Sequence, residues 1–213
     1  MSESSPHKQV DVAIIGAGSA GLYAMGQVRR FTDNFVLIDG GELGTTCARV
    51  GCMPSKVLIQ VAEDFHRKSV YGREGIEGGE HLSINIPDAL EHVEDMRDTF
   101  VDRTLSHSID QLDEDKLIES YCHFIDANTL ETDDGQTIKA GKIIIASGSR
   151  PIRPTAWDAF GDRIITTDEL FELSELPESI AVIGLGVIGL EIGQSLSRLG
   201  IEVTGIDQQT IIG

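Results

Sequence analysis

The chain has 213 residues, of which 40% are hydrophobic, and it carries a formal net charge of −18 at pH 7. This length can bury a sizeable core in one or two domains, and the negative charge argues against nucleic acid or an anionic membrane surface as a partner. The N-terminus is polar and no apolar stretch approaches about 18 residues, so the sequence predicts a cytoplasmic protein without a membrane span. The chain has only 3 cysteines, which agrees with a reducing compartment.

A strand, a glycine-rich turn and a helix open the chain. Residues 10–15 form an apolar strand, a helix follows over residues 22–31, and a second strand at residues 35–38 ends in Asp39. The glycines of the turn have the pattern G-x-G-x-x-G: Gly16, Gly18 and Gly21. The first permits a tight turn, the second lets the backbone approach a pyrophosphate, and the third permits close packing of helix and strand. The helix N-terminus offers N–H groups to phosphates, and the carboxylate can hold a ribose hydroxyl.

Two cysteines, Cys47 and Cys52, follow this unit. In a regular helix their Cα atoms would be about 8.7 Å apart, whereas a disulfide needs about 4.4 to 6.8 Å. A bond between them therefore requires the backbone to leave helical geometry, which Gly51 favours, and a short, strained disulfide of this kind is easily reduced. Two buried, unpaired cysteines or half of a zinc site are the alternatives that the residues leave open.

A further helix is predicted to begin near Cys52, with Pro54 as an early position, and to continue to residue 62. A thiolate close to this helix N-terminus would be stabilised by the helix and by the nearby Lys56. This arrangement favours redox chemistry at the cysteine pair.

The middle of the chain is predicted to form a long helix followed by short strands. Residues 88–112 have apolar side chains near helical spacing, which indicates an amphipathic packing helix. The predicted strands cover residues 117–125, 129–132 and 137–146, with Asp133-Asp134-Gly135 as a hairpin turn. Cys122 falls on the first strand and is interpreted as a strand residue rather than a redox thiol. The histidines have no ligand spacing, so no metal site is predicted.

The glycine turn then occurs a second time. A strand at residues 180–183 precedes the turn, a helix follows over residues 190–199, and a strand at residues 203–206 ends in Asp207. The glycines of this second turn are Gly184, Gly186 and Gly189. Each of these glycines and the acid lies 168 residues after its counterpart in the first unit. Chance seldom aligns four such residues twice, so two nucleotide-binding folds are predicted, although one copy could be only a glycine-rich turn. Together with the dithiol, they indicate electron transfer from one cofactor through another to a disulfide.

These motifs, and above all the cysteine segment 44–56, resemble the N-terminal part of the flavoprotein disulfide reductases. This is the pyridine nucleotide-disulfide oxidoreductase family, which includes dihydrolipoamide dehydrogenase, glutathione reductase and mercuric reductase. The resemblance implies an α/β fold with two Rossmann-like domains, FAD bound through the first glycine turn and Asp39, and NAD(P)H bound through the second turn and Asp207. It also implies that Cys47 and Cys52 form a redox disulfide, in which the Cys52 thiolate faces the flavin and the Cys47 sulfur exchanges with the substrate.

The same resemblance assigns roles to side chains outside the glycine turns. Lys56 matches the family lysine near the flavin, and Glu191 matches the acid that pairs with it and borders the nicotinamide site. Four further residues match positions that contribute to the FAD site: Thr46, Cys122, Ser147 and Gly148. Ser147 stands where the family has threonine and keeps the hydroxyl.

Several residues indicate which members of the family this chain resembles most. The run Pro54-Ser55-Lys56 resembles dihydrolipoamide dehydrogenases and mercuric reductases, whereas Thr45 and Arg49 depart from the glycine and asparagine of many members. Asp207, followed by two glutamines, favours NAD over NADP because an acid would repel a 2′-phosphate. The implied partners are a small dithiol or lipoyl-domain substrate, a 2-oxo acid dehydrogenase complex and, for the intact enzyme, a second copy in a homodimer.

The predicted domains are an FAD-binding domain over residues 1–155 and an incomplete NAD-binding domain over residues 156–213. Family members are more than twice as long, so we expect a truncated portion of a dihydrolipoamide dehydrogenase-like enzyme that does not complete turnover alone. Two alternatives are a flavin-binding module without turnover and a different flavoenzyme, such as an NADH oxidase or a transhydrogenase, in which the cysteines are incidental.

Overall fold

The computed structural model of the chain describes residues 7–210. In chain order, the strands and α-helices are β1 (His7–Ile15), α1 (Ser19–Val28), β2 (Phe35–Ile38), α2 (Thr46–Arg49), α3 (Cys52–His66), α4 (Ile86–Ser106), β3 (Leu117–Ile118), β4 (Cys122–Asp126), β5 (Thr129–Thr132), β6 (Thr137–Ile145), α5 (Thr167–Leu170), β7 (Ser179–Ile183), α6 (Val187–Arg198) and β8 (Glu202–Ile206). Short 3-10 helices cover Arg67–Ser69, Tyr71–Glu74, Gly79–His81, Ile109–Gln111 and Thr155–Arg163. Within residues 7–210, no helix is both long and apolar enough to cross a membrane.

The chain divides into two compact units. Of the described residues, one unit comprises 7–48 and 100–152, and the other comprises 49–99 and 153–210. Both units are interrupted in sequence, and the division into cofactor domains near residue 155 stays a prediction.

The first unit is built on a sheet whose strand order, within the described residues, is β3-β2-β1-β6-β5-β4. β1 runs parallel to β2 on one side and to β6 on the other, so that Ile14 lies between Leu37 and Ile144. Parallel strands are covered on both faces and are therefore continuously apolar, as in β2, where every residue is buried. This parallel-rich sheet confirms the predicted α/β class.

One predicted strand of this unit was wrong. Residues 117–125 form two strands, β3 and β4, which lie at opposite edges of the sheet. β3 pairs parallel to β2, whereas β4 pairs antiparallel to β5. Between them the chain passes close to Gly40, where an added Cβ would collide with the backbone and ring of Tyr121. The hairpin between β5 and β6 is as predicted, with Gly135 at a φ of 85°.

Both helices that follow a glycine turn begin three residues earlier than predicted. α1 begins at Ser19 with Gly18 as its N-cap, and α6 begins at Val187 with Gly186 as its N-cap. The third glycine of each turn therefore lies inside the helix. α1 also ends earlier than predicted, at Val28. The N–H groups of Arg30 and Phe31 then donate to carbonyl oxygens only three residues earlier, and the Phe31 side chain is 87% exposed.

The predicted helix over residues 88–112 ends at Ser106 and is followed by a separate 3-10 turn. The Ser106 hydroxyl donates a hydrogen bond to the Arg103 carbonyl oxygen at 3.1 Å, and the Ser108 hydroxyl donates to the Thr104 carbonyl oxygen. α4 therefore ends among side chains that bond to its last carbonyl oxygens, although the apolar pattern of the sequence continues beyond it.

The second unit has its core between α3, α6 and the segment around α5. The buried side chains of this core are Leu58, Ala62, Val93, Leu170, Phe171, Ile192, Leu196 and Leu199. In the described residues its sheet consists of β7 and β8, which run parallel in register from Ser179 opposite Glu202 to Ile183 opposite Ile206. A cavity of about 740 Å³ lies along β7 and is lined by apolar side chains such as Trp157, Ile164 and Ile180.

Candidate redox and dinucleotide-binding sites

The first glycine turn is closed on itself by backbone contacts. Gly16 has a φ of 104°, which favours glycine, and a Cβ on this residue would overlap the carbonyl oxygen of Ala146. A Cβ on Gly21 would overlap the carbonyl oxygen of Gly16. At Gly18, in contrast, an added Cβ would meet nothing within 4 Å. The turn is therefore tight beneath its first and third glycines and open at its second, where a ligand can approach.

The Asp39 carboxylate is attached to this turn. Its Oδ2 accepts a hydrogen bond from the Ala17 N–H at 2.5 Å, and its Oδ1 accepts one from the Gly41 N–H at 2.8 Å. The acid at the end of β2 thus lies beside the glycines at the end of β1. A single nucleotide could therefore place its phosphate at the glycine turn and its ribose at the Asp39 carboxylate.

The second turn repeats these details. Gly184 has a φ of 94°, and a Cβ on Gly189 would overlap the carbonyl oxygen of Gly184. The Asp207 carboxylate accepts hydrogen bonds from the Leu185 N–H at 2.6 Å and from the Gln209 N–H at 2.8 Å. Each residue in this set lies 168 positions after its counterpart in the first turn. The sequence repeat is therefore a repeat of hydrogen bonds as well.

These hydrogen bonds also affect the acidity of the second carboxyl group. The N–H of Gln209, followed by that of Leu185, lowers the pKa of Asp207 because both stabilise the ionised form. An ionised carboxylate can accept a hydrogen bond from a ribose hydroxyl, whereas it repels a phosphate.

The two turns differ in what surrounds them. Gly16 is buried against the end of β6, whereas Gly184 is exposed and a Cβ there would meet nothing within 4 Å among the described residues. β1 has a parallel neighbour on each side, whereas β7 pairs with β8 alone in the part of the chain that the structure describes. The first turn is thus enclosed by its own unit, and the second is open on one side.

Both helix N-termini fit a phosphate group. Gly18 and Gly186 have extended backbone and no side chain to cap their helices, and no side-chain cap is found for either helix in the described residues. The N–H groups of the first helical turn therefore point towards the open side of each glycine turn, where a pyrophosphate of FAD or NAD would lie.

The cysteine segment is a break between two helices. Cys47 is half-buried in the single turn α2, and Cys52 is exposed as the first residue of α3. Between these helices, Gly51 has non-helical dihedrals of φ −135° and ψ −118°. The predicted start of a helix near Cys52 is confirmed, and the backbone before it leaves helical geometry, as a disulfide between the cysteines would require. The disulfide itself stays a prediction.

Two hydroxyl groups hold the backbone around these cysteines. The Thr45 Oγ1 accepts a hydrogen bond from the Ala48 N–H at 3.1 Å. Among residues 7–210, Thr45 is the non-glycine residue with a positive φ. The Ser55 hydroxyl donates to the Cys52 carbonyl oxygen at 3.1 Å. Thr45 has a φ of 68°, which is costly for a β-branched side chain, so its hydrogen bond holds a strained conformation next to Cys47.

Lys56 and Glu191 are brought together, as the resemblance implied. The Lys56 Nζ lies 2.6 Å from the Glu191 Oε2, and this ion pair joins α3 to α6. The two side chains remain 57% and 36% exposed, so the pair is accessible to a ligand. Their catalytic role stays a prediction.

The remaining predicted flavin residues are placed less closely together. Ser147 and Gly148 lie two and three residues after the end of β6, and the Cα of Ser147 lies beside the Gly16 turn. Thr46 is exposed at the start of α2. Cys122 begins β4 at the antiparallel edge of the sheet, and burial, with a smaller contribution from Asp133, raises the pKa of its thiol. A raised pKa keeps this thiol protonated and argues against a nucleophilic role.

Sequence reasoning missed one contact of the second unit. Arg198 of α6 forms an ion pair with Glu63 of α3. A sequence signal for it exists, because Arg198 follows Glu191 by seven residues and Glu63 follows Lys56 by seven. Among residues 7–210, no group of three or more His, Cys, Asp and Glu side chains is arranged to hold a metal ion.

Comparison with known proteins agrees with this site. The family described as pyridine nucleotide-disulphide oxidoreductase matches residues 10–213, and the chain belongs to this family. Its cofactors, a flavin and a pyridine nucleotide, are the FAD and NAD(H) that the two turns were predicted to bind.

Individual relatives have 30% sequence identity or less to this chain. The chain is 29% identical over 202 residues to dihydrolipoyl dehydrogenase of Geobacillus stearothermophilus, covering 92% of this chain and 42% of that protein. It is 30% identical to mercuric reductase of Lysinibacillus sphaericus, covering 91% of this chain and 35% of that protein. The HOCl-induced flavoprotein disulfide reductase RclA of Escherichia coli has the same fold, with a TM-score of 0.77 at 20% identity over 95% of this chain and 43% of that one. The chain thus spans about two-fifths of the length of these relatives.

Proposed function

We propose that this chain is the FAD-binding, NAD-binding and cysteine-bearing portion of a disulfide oxidoreductase of the dihydrolipoyl dehydrogenase type. The net reaction converts a dithiol and NAD⁺ into a disulfide, NADH and a proton, or runs in reverse. Two electrons pass between the substrate sulfurs and the Cys47–Cys52 pair, and from there through the flavin to the nicotinamide. Support comes from the family, which the chain matches over residues 10–213.

The observation that carries the proposal is the duplicated, carboxylate-bound glycine turn. Asp39 and Asp207 accept hydrogen bonds from corresponding N–H groups of their turns. Two such turns favour two dinucleotides, and a chain with two dinucleotides can relay electrons between them. The cysteine segment follows the first turn directly, which favours the flavin on that turn as the electron partner of the sulfurs.

The side chains of the cysteine segment have distinct proposed roles. Cys52, at the start of α3, has the uncapped N–H groups of that helix to stabilise its thiolate. Cys47 exchanges with the substrate: one substrate thiolate attacks the Cys47 sulfur of the disulfide and releases the Cys52 thiolate, and the second substrate thiolate then attacks the first substrate sulfur and releases the Cys47 thiolate. In the reverse direction the same bonds form and break in the opposite order. FAD, when bound, supplies the hydride chemistry that links the nicotinamide to the Cys52 sulfur.

Other residues position the cofactors in this proposal. The Lys56–Glu191 pair places a positive charge near the flavin and a carboxylate at the border of the nicotinamide site. Four residues line the flavin: Thr46, Cys122, Ser147 and Gly148. The ionised Asp207 selects NAD over NADP, because a 2′-phosphate would lie against a negative charge.

The proposed substrate is a small dithiol or a lipoyl domain, and the proposed assembly is a homodimer within a 2-oxo acid dehydrogenase complex. These assignments rest on relatives named dihydrolipoyl dehydrogenase. A mercuric reductase-type activity is the second candidate, because relatives of that name are as similar to this chain, at 30% identity.

The test is the visible absorption spectrum of the purified chain after addition of FAD, recorded before and after reduction by dithiothreitol. We expect a flavin spectrum that gains a long-wavelength band from a thiolate in contact with the flavin. Cys47→Ser should show this band without reductant, because Cys52 then has no partner, whereas Cys52→Ser should lose it. Cys122→Ser is the matched control: it removes the third thiol at a position whose backbone, rather than its sulfur, is proposed to line the flavin, so the long-wavelength band should remain.

The outcomes separate the candidates. Bound flavin without the band in any variant would contradict the redox assignment and leave a flavin-binding module. Failure to bind FAD would contradict the proposal for this chain. NADH oxidation that is unaffected by Cys47→Ser would favour a flavoenzyme in which the cysteines are incidental.

A further inference from the structure

Two ion pairs join α3 to α6 in the second unit. Lys56 contacts Glu191 at 2.6 Å, and Glu63 contacts Arg198. The partners in both pairs are separated by 135 positions in sequence. A constant separation at two points means that the helices run in the same direction, residue by residue in register.

The two pairs lie on one side of the helix contact, two turns apart. Seven residues correspond to a rise of about 10.5 Å along each helix. Buried apolar side chains of the same helices, including Leu58 and Ala62 on α3 and Ile192 and Leu196 on α6, form the core beside them. Arg198 is the most enclosed of the four charged side chains, with 25% of its side-chain surface exposed.

The order of charges is reversed between the helices. α3 presents Lys56 and then Glu63, whereas α6 presents Glu191 and then Arg198. A shift of one helix by seven residues would repeat the apolar contacts approximately, but it would place Glu63 against Glu191 or Lys56 against Arg198. Like charges at such positions are unfavourable, so the charge order selects a single register.

This register matters because of what the helices carry at their N-termini. α3 begins at Cys52, and α6 begins directly after Gly186 of the second nucleotide turn. We propose that Glu63 and Arg198 are a positioning pair, which fixes α6 along α3 and thereby holds Lys56 against Glu191. The catalytic meaning of that contact rests on the proposed function, whereas the contact itself does not.

The test measures the Lys56 contact without any cofactor. The full chain is acylated with a limiting amount of an acetyl N-hydroxysuccinimide ester, and the rate at Lys56 is divided by the rate at Lys142, an exposed lysine of the first unit, by mass spectrometry. Glu63→Gln and Arg198→Gln should each raise this ratio about two- to fivefold, the factor expected for loss of an exposed ion pair. The conservative variant Arg198→Lys keeps the charge and the charge order along both helices, so its ratio should stay within about twofold of the natural chain.

Asp64→Asn is the matched control. It removes the same charge from the neighbouring residue, but Asp64 is exposed and its Oδ1 accepts a hydrogen bond from Gln60 of the same helix at 2.9 Å. The proposal is overturned if Glu63→Gln and Arg198→Gln leave the ratio unchanged, if Asp64→Asn raises it equally, or if Arg198→Lys raises it as much as Arg198→Gln while circular dichroism shows folded protein. Because no flavin is involved, these results are independent of the absorption test above.

Discussion

Replacement of Gly21 by alanine tests whether the glycine turn is as close-packed as its contacts indicate. A Cβ at this position would overlap the carbonyl oxygen of Gly16, which belongs to the backbone and cannot rotate away. Gly26 lies five residues further along the same helix, and a Cβ there would meet nothing within 4 Å. The two positions differ in their surroundings but share a helix, so Gly26→Ala is the natural control.

The expected magnitudes follow from two opposing effects. Alanine in place of glycine inside a helix stabilises it by about 0.5–1 kcal/mol, and Gly26→Ala should gain this amount. Gly21→Ala gains the same but must displace a backbone carbonyl, and overpacking of this kind costs about 1–3 kcal/mol. We expect the upper end of that range, hence a net loss of about 2 kcal/mol for Gly21→Ala. The difference between the variants cancels the helix propensity and measures the clash, at about 3 kcal/mol.

The assay is urea unfolding of the 213-residue chain, followed by far-ultraviolet circular dichroism. The second turn provides a repeat of the comparison, since a Cβ on Gly189 would overlap the Gly184 carbonyl oxygen, whereas one on Gly193 would make ordinary contacts at 3.6 Å. Equal stabilities of Gly21→Ala and Gly26→Ala, at an unchanged slope with urea, would refute the close approach.

Three further changes test the surroundings of the site by the same unfolding measurement. Thr45→Ala should lose about 1 kcal/mol with the hydroxyl cap, and Thr45→Gly should be about 1 kcal/mol more stable than Thr45→Ala, because glycine tolerates a φ of 68°. Arg97→Ala should lose about 1–3 kcal/mol, because the buried Phe171 carbonyl oxygen, now bonded to Arg97 at 3.0 Å, would be left without that donor. Glu169 provides a test of pH dependence. Hydrogen bonds from the Thr166 N–H and, to a smaller extent, from the Thr166 hydroxyl lower the pKa of Glu169. The ionised carboxylate therefore stabilises the fold at a pH above the unfolded-state pKa, and this stabilisation is lost as the pH falls through the folded-state pKa. The stability difference between the natural chain and Glu169→Gln should therefore shrink as the pH falls below about 4.3, the ordinary pKa of glutamate, and a constant difference would contradict the role of this cap.

The starts of α1 and α6 show where sequence reasoning loses accuracy. Glycine has a low helix propensity, so both helices were predicted to begin after the third glycine of their turns. The structure places Gly21 and Gly189 inside the first helical turn. The reason is close packing: each of these residues lies against the backbone of its own strand-to-helix turn, where no side chain fits. Local propensity and close packing conflict here, and packing prevails.

The division of residues 117–125 into β3 and β4 has a different cause. A run of β-favouring residues indicates an extended backbone but does not identify its partner strand. Leu117 and Ile118 pair with β2, and Cys122 pairs with Thr132 on β5 at the other edge of the sheet. The partners lie about 80 residues away on one side and about 10 on the other, and no local pattern encodes that choice.

Comparison of the two glycine turns distinguishes the contacts that the motif itself encodes from the contacts that neighbouring strands add. Both copies have a first glycine of positive φ, a second glycine as helix N-cap and an aspartate bonded to two N–H groups. All of these contacts lie within one strand-turn-helix-strand segment, so the motif alone predicts them. Enclosure is not local, because Gly16 is covered by residues after β6, more than 120 positions along the chain. The motif therefore locates a nucleotide turn from sequence, whereas the pocket around it depends on strands that the motif does not contain.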